Sequence, residues 1–110
     1  MRISKEPDDE DSKIFHDYIT QRKILIADSS SASRVGLAQT LINLGASLKN
    51  LILVNTFDLA LSEMERAKPH VVITDYQLGN RCGLDLLQHQ RQFRPESKEC
   101  LFILVTGNTS

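Results

Sequence analysis

Four short apolar runs recur along the chain from residue 23 onward. Each is apolar almost throughout instead of alternating with polar residues, which is typical of a strand that is covered on both faces of a sheet. Each run also ends in polar residues. We therefore predict four buried strands: Lys23–Ala27, Leu51–Val54, His70–Thr74 and Leu101–Val105.

The segments between these runs have helical spacing. In the first, the apolar stripe consists of Val35, Ala38, Leu41 and Ile42. Ser31 can cap the start of this helix and Gly45 can end it. Strands that alternate with helices predict an α/β fold, in which a parallel sheet carries helices on both faces. The predicted helices are Ala32–Leu44, Phe57–Lys68 and Leu84–Phe93. Between the third strand and the third helix, Tyr76–Cys82 is a predicted loop with Gly79 and Asn80 as turn residues.

The first 22 residues differ from the remainder. Residues 1–12 contain five acidic and two basic residues, and we expect at least residues 1–10 to be mobile. Ser12–Arg22 places four apolar side chains on one helical face, which predicts an additional short helix: Ile14, Phe15, Tyr18 and Ile19. We therefore divide the chain into an acidic tail with an extra helix (1–22) and a domain (23–110).

Composition excludes several classes of protein. A chain of 110 residues with 41% hydrophobic and 25% charged residues is sufficient for one globular domain. The net charge of −1 argues against direct nucleic-acid binding, and no apolar run approaches the roughly 18–20 residues of a membrane span. The N-terminus has no signal-peptide core, so we expect a cytoplasmic protein with Cys82 and Cys100 as free thiols.

Polar residues follow three of the predicted strands. Asp28 and Ser29 follow the first, Asp75 follows the third and Thr106 follows the fourth. Each of these residues could instead have a purely structural role, as a helix cap or a turn residue. If these strands are neighbours, however, the side chains converge on one crevice. Two carboxylates held together there would repel one another, and a hard divalent cation such as Mg²⁺ would relieve the repulsion.

Four motifs together resemble the receiver domain of two-component response regulators. They are KILIAD at 23–28, HVVITD at 70–75, the spacing from Asp75 to Gly83 followed by GLDLL, and LFILVTG at 101–107. The resemblance covers 23–110. It implies a flavodoxin-like, doubly wound parallel sheet with strand order 2-1-3-4, in which a fifth strand and its helix are absent.

The resemblance also implies a chemistry. Asp75 would accept a phosphoryl group, and Thr106 would be the hydroxyl that turns toward it. Asp28, Asp75 and the backbone carbonyl of Gln77 would hold Mg²⁺. The donor would be a histidine kinase or phosphotransfer protein, and the domain itself would not be an enzyme.

The sequence departs from the family pattern at several positions. Ser29 stands where the family has a second acidic metal ligand, so we expect weakened Mg²⁺ binding. Gly79 stands in place of a proline, and Cys82 in place of an acidic residue. The lysine at the end of a fifth strand is also missing, and we expect this chain to be the N-terminal part of a longer protein.

The missing strand has a consequence for assembly. The apolar edge of the fourth strand is exposed in this order, which favours association. A C-terminal remainder of the natural protein, a second copy, or the chain's own N-terminal helix could each cover this strand. For the chain as given, we expect a homodimer formed through that edge or through the N-terminal helix.

Two other functions are compatible with the pattern. The first is a pseudo-receiver, an interaction or oligomerisation module that does not depend on phosphorylation; Ser29 and the missing lysine favour it. The second is an unrelated nucleotide-binding protein, which is disfavoured because the chain has no G-x-G-x-x-G or Walker-type loop.

Overall fold

The four apolar runs form the central sheet. The computed structural model describes residues 9–93 and 100–106. The sheet strands are β1 (Ile24–Ala27), β2 (Leu51–Val54), β3 (Val71–Asp75) and β6 (Leu101–Val105). All neighbouring strands are parallel, and their order is β2-β1-β3-β6. The fourth predicted strand is numbered β6 because a short hairpin supplies two strands before it, so the predicted 2-1-3-4 order is confirmed.

The helices lie close to their predicted positions. They are α1 (Asp9–Thr20), α2 (Ser31–Asn43), α3 (Phe57–Ala67) and α4 (Leu84–Phe93), with a 3₁₀ turn at Leu48–Asn50 that was not predicted. The additional N-terminal helix α1 is present, but it begins three residues before the predicted start at Ser12 and ends at Thr20. Asp9 and Glu10, which were expected to be mobile, belong to this helix. The remainder of that expected mobile segment, residues 1–8, lies outside the described residues.

Two apolar clusters cover the two faces of the sheet. Alternate residues of a strand point to opposite faces, so the inner strands β1 and β3 each contribute to both clusters. The first cluster joins the sheet to α3 and α4; its members include Leu25, Ala27, Val72, Phe57, Met64 and Leu86. The second joins the sheet to α2 and the end of α1; its members include Ile24, Ile26, Val71, Ile73, Ala38, Leu41 and Ile19.

The buried face of α2 differs from the predicted one. It turns Leu37, Ala38 and Leu41 toward the sheet, which leaves Val35 exposed, because Val35 lies about 100° around the helix from the centre of that stripe. The predicted stripe was therefore wrong at Val35. The N-cap is Ser30, not Ser31 as predicted: the Ser33 N–H donates to the Ser30 hydroxyl oxygen at 3.2 Å.

The end of α2 confirms the predicted role of Gly45. The Gly45 N–H donates to the Ile42 carbonyl at 3.0 Å, and the Ala46 N–H donates to the Leu41 carbonyl at 2.9 Å. These two bonds form a Schellman motif, in which the residue after the helix takes a left-handed conformation. Gly45 has a φ of +122°, and a side chain there would also collide with the His16 ring.

Gly36 is a site where replacement should stabilise the protein. It lies inside α2, where its φ is not positive, and an added Cβ would meet no atom within 4 Å. We expect Gly36→Ala to raise the free energy of unfolding by about 0.5–1 kcal/mol, because alanine loses less backbone entropy in a helix. Urea denaturation measures the change. A lower stability would contradict the open environment described for this position.

The two cysteines are free thiols, as predicted, and both are partly buried. Burial raises the pKa of the Cys100 thiol, and a hydrogen bond with the Gln90 side chain opposes that rise. A raised pKa keeps Cys100 protonated and unreactive. Within residues 9–93 and 100–106, no helix combines the length and apolar character needed to cross a bilayer.

Candidate functional site at the carboxyl ends of the strands

The register of β1 against β3 places two aspartates side by side. Ala27 pairs with Thr74, and the next residue on each strand is an aspartate. Asp28 is buried, with 7% of its surface exposed, and Asp75 is half-buried. The two carboxylates therefore lie at adjacent strand ends, where the strand order predicted them.

Electrostatics at this edge are unfavourable for a pair of ionised carboxylates. Burial raises the pKa of the Asp75 carboxyl, the charge of Asp28 raises it further, and a backbone hydrogen bond from Tyr76 opposes the rise. Asp28 receives local support, because its Oδ1 accepts a hydrogen bond from the Ser30 N–H at 2.9 Å. A cation at the site would remove most of the repulsion that acts on Asp75.

Neutralising Asp75 should stabilise the metal-free protein. A carboxyl whose pKa is raised by folding binds its proton more tightly when folded, so it lowers stability at pH values above the folded pKa. We expect Asp75→Asn to raise the free energy of unfolding at pH 7 by about 0.5–1 kcal/mol. The gain should disappear as the pH falls through the folded pKa toward the unfolded value of about 3.9.

Urea denaturation in EDTA at several pH values measures this effect. Asp58→Asn is the matched control, because Asp58 is exposed in the first turn of α3, where a negative charge favours the helix. The control should give no gain in stability. Equal unfolding midpoints for Asp75→Asn and the parent at pH 7 would contradict the like-charge repulsion.

A β-hairpin forms the loop that follows Asp75. The sequence predicted a loop with Gly79 and Asn80 as turn residues, and the structure adds two short strands, β4 (Gln77–Leu78) and β5 (Arg81–Cys82). Gly79 has a φ of +68° and Asn80 has no positive φ, which is the pattern of a type II′ turn. The predicted turn residues are confirmed, but the paired strands were missed.

The hairpin also orients the backbone of Gln77. The Gly83 N–H donates to the Tyr76 carbonyl at 2.7 Å, so these two residues form a hydrogen-bonded pair. Hydrogen-bonded and non-hydrogen-bonded pairs alternate along an antiparallel ladder. The next pair, Gln77 with Cys82, is therefore a non-hydrogen-bonded pair. The backbone carbonyl groups of such a pair point away from the partner strand, so the Gln77 carbonyl is directed away from Cys82.

Gly83 is packed directly against the predicted phosphoacceptor strand. A Cβ at this position would overlap the backbone carbonyl oxygen of Asp75 and lie 2.9 Å from the Thr74 hydroxyl. That hydroxyl donates to the Asp75 carbonyl at 3.1 Å. The spacing from Asp75 to Gly83 thus has a physical basis, since only glycine lets the end of the hairpin approach β3 so closely.

Thr106 lies at the same edge of the sheet. Asp75 pairs with Val105, and the Tyr76 N–H donates to the Val105 carbonyl at 2.9 Å. Thr106 is therefore one residue beyond the level of Asp75 on the neighbouring strand, and its side chain is exposed. Gly107, which ends the motif, is outside the described residues.

Arg34 is a residue near the candidate site that was not predicted from the sequence, because it does not follow a strand. Its Nη1 donates to the backbone carbonyl of Asp28 at 2.6 Å, which holds the end of β1 and brings a positive charge near the carboxylates. Arg34 precedes Leu37, Ala38 and Leu41 by three, four and seven residues, so it shares their face of α2. That spacing is the signal that could have placed Arg34 over the end of β1.

The donor atoms suit a hard cation with few protein ligands. Asp28 and Asp75 could supply carboxylate oxygens, and the Gln77 backbone could supply a carbonyl oxygen, which are the ligand types that Mg²⁺ prefers. Ser29 is exposed and neutral. No group of three or more His, Cys, Asp or Glu side chains is placed to hold a metal in the part of the chain that the structure describes. These oxygen donors would suit Mg²⁺, and the neutral Ser29 adds no third carboxylate.

No family model and no curated protein matches the sequence. Solved structures match the fold. The chemotaxis response regulator CheY4 of Vibrio cholerae is 23% identical with a TM-score of 0.70, over 83% of this chain and 72% of that chain. A response regulator receiver protein from Pseudomonas putida is 21% identical with a TM-score of 0.66, over 81% of this chain and 70% of that chain.

A third match comes from a complex of two signalling proteins. It is the complex of the Saccharomyces cerevisiae histidine phosphotransfer signalling protein Ypd1 with the receiver domain of its downstream response regulator Ssk1. The identity is 17% and the TM-score 0.68, over 84% of this chain and 68% of that chain. The chain therefore has the flavodoxin-like fold of receiver domains, and the predicted fold class is confirmed.

Proposed function

We propose that the chain is the phosphoacceptor receiver domain of a response regulator, in which Asp75 accepts a phosphoryl group. The observation that carries the proposal is the position of Asp28 and Asp75, each of which directly follows one member of the paired residues Ala27 and Thr74 on adjacent strands, on a chain with the receiver fold. A flavodoxin-like protein that bound only nucleotides would not need two carboxylates in register there. The spacing from Asp75 to the tightly packed Gly83 supports the same assignment.

The proposed step is an in-line transfer to a carboxylate. One Asp75 oxygen forms a bond to phosphorus, and the bond from phosphorus to the donor atom breaks. The electron pair leaves with the donor group, which is imidazole for a phosphohistidine and acetate for acetyl phosphate. The product is an acyl phosphate on Asp75. Because the raised pKa of Asp75 favours its protonated form, we expect faster transfer as the pH rises toward neutrality.

We assign a supporting role to Mg²⁺. When it is bound, this ion neutralises charge on the transferring phosphoryl oxygens. Asp28, Asp75 and the Gln77 carbonyl would hold the ion. The Thr106 hydroxyl, which follows the neighbouring strand, would donate a hydrogen bond to the phosphoryl group. Arg34 would hold the end of β1, and with it Asp28, in position.

The partners follow from this chemistry. The phosphoryl donor is a histidine kinase or a phosphotransfer protein in the cytoplasm, and one similar structure is a complex of such a phosphotransfer protein with a receiver domain. The domain signals by protein contact and is not itself an enzyme. It binds neither nucleic acid nor membrane directly.

Acetyl phosphate tests the proposal without a kinase. With Mg²⁺ present, intact-protein mass spectrometry should show one added phosphoryl group, and Asp75→Asn should show none. Asp28→Asn should slow the reaction by at least tenfold, whereas Asp58→Asn on the exposed surface of α3 should leave it unchanged.

Two outcomes would contradict phosphorylation at Asp75. A parent protein that gains no phosphoryl group at any Mg²⁺ concentration would favour the pseudo-receiver, an interaction module that does not depend on phosphorylation. The neutral Ser29 is compatible with such a module. Modification of the parent and Asp75→Asn to the same extent would place the phosphoryl group elsewhere.

We also propose that the 110-residue chain forms a homodimer. Strand β6 lies at the edge of the described sheet, and three of its five side chains are exposed. An apolar edge without charge or proline favours association. Light scattering that shows a stable monomer at high concentration would contradict this proposal.

A further inference from the structure

The two faces of the sheet are covered unequally. Helices α3 and α4 pack on one face, whereas α2 and the end of α1 pack on the other. On this second face, Leu101 and Ile103 of β6 lie beside Val71 and Ile73. Val71 and Ile73 are buried, but Leu101, Ile103 and Val105 are each between 40% and 46% exposed. Among residues 9–93 and 100–106, no helix therefore covers β6 on the second face.

Helix α1 carries an apolar face that is largely exposed. Its apolar face was predicted from Ile14, Phe15, Tyr18 and Ile19, but only Ile19 is buried, with 3% of its surface exposed. The other three side chains are between 37% and 62% exposed. The helix is held at its end, where the Thr20 hydroxyl donates to the Gly45 carbonyl at 3.1 Å. Ile14 and Phe15 are therefore left largely uncovered by the described residues of the chain, whereas the Arg22 guanidinium lies over the Tyr18 ring, 4.0 Å from its centre.

We propose that two copies of the chain cover each other, with the apolar face of α1 from one copy packed over β6 of the second copy. This inference rests on the proposed homodimer and specifies its interface. The bare strip of sheet needs an apolar helix, because a parallel sheet is covered by helices on both faces. Since each copy carries both the helix face and the strip, the contact repeats by two-fold symmetry and closes as a dimer.

The exposed area is sufficient for such a dimer. The six side chains leave on the order of 500 Å² of apolar surface exposed per copy, if a large apolar side chain presents about 200 Å² in full. Burying them in both copies would remove about 1,000 Å² from water, the lower limit for a specific interface. The strip itself carries no charged residue, so no charge would be desolvated on β6.

Charge-swap variants test the contact. Phe15→Glu and Ile103→Lys each place a charge on one half of the interface, and both side chains are partly exposed, so both variants should fold, which circular dichroism checks. We expect each variant alone to raise the dimer dissociation constant at least tenfold in light scattering. An equimolar mixture should recover the dimer, because the introduced carboxylate and ammonium groups would then face each other across one contact while the other contact remains unaltered.

The outcomes separate this interface from other assemblies. Leu59→Glu, which alters an exposed leucine on α3, is the matched control and should leave the dimer intact. A dimer that survives Phe15→Glu but not Ile103→Lys would overturn the helix contact and favour pairing of β6 edges. A parent protein that is monomeric would overturn both the homodimer and this interface. Phosphorylation of Asp75 by acetyl phosphate is measured separately and does not depend on either result.

Discussion

Gly83→Ala should destabilise the protein by about 3 kcal/mol, because overpacking a rigid site costs roughly 1–3 kcal/mol or more. The added Cβ would overlap the backbone carbonyl oxygen of Asp75 and crowd the Thr74 hydroxyl. Thr74 is fully buried, and β3 is bonded to a strand on each side. No flexible side chain can move to make room, so β3 or the hairpin must shift.

Urea denaturation measures the loss, and Gly36→Ala is the matched control. Both variants add one methyl group to a glycine, but Gly36 is open, so the two should differ in sign. A second measurement reports on the site. Gly83 holds the Tyr76 carbonyl through its N–H, so a shift should displace Asp75 and slow its phosphorylation under conditions where the variant is still folded. A Gly83→Ala protein as stable as the parent would contradict the close packing.

The sheet could be predicted from the sequence because its strands are nearly all apolar. A short apolar run is typical of a strand that is covered on both faces of a sheet. Leu51–Val54 and Leu101–Val105 have the predicted bounds, but the prediction that both are buried was wrong, because they form the two edges of the described sheet and are only partly covered. The candidate site followed from the same pattern, since Asp28 directly follows β1 and Asp75 is the last residue of the neighbouring β3.

The missed features depend on contacts that no periodic pattern encodes. Strands β4 and β5 contain two residues each, too few for an alternation to show. The sequence Leu78-Gly79-Asn80-Arg81 is nevertheless a known hairpin signal. Arg34 was missed because its role requires the start of α2 to lie beside the end of β1. In α1, periodicity identified an apolar face but could not show that Ile19 is the one member of that face to be buried.

Restoring a carboxylate at position 29 should strengthen Mg²⁺ binding. Ser29 follows Asp28 directly and is exposed, so an aspartate there would bring a third negative charge to the site. Affinity for a hard cation rises with ligand charge, and we expect Ser29→Asp to lower the Mg²⁺ dissociation constant about tenfold to a hundredfold. The dissociation constant is measured from the unfolding midpoint at increasing Mg²⁺ concentrations, because a ligand stabilises the folded state to which it binds.

The same variant should have the opposite effect without metal. In EDTA, the added charge repels Asp28 and Asp75, and we expect Ser29→Asp to lower the free energy of unfolding by about 0.5–1 kcal/mol. A carboxylate that acted only on the nearby start of α2 would instead stabilise the helix in both conditions. Ser62→Asp, on the exposed surface of α3, adds the same charge and should show no dependence on Mg²⁺. A change of sign between EDTA and Mg²⁺ at position 29 alone therefore requires a cation held between the strand ends, and an unchanged Mg²⁺ affinity would contradict the assignment of Asp28 and Asp75 as its ligands.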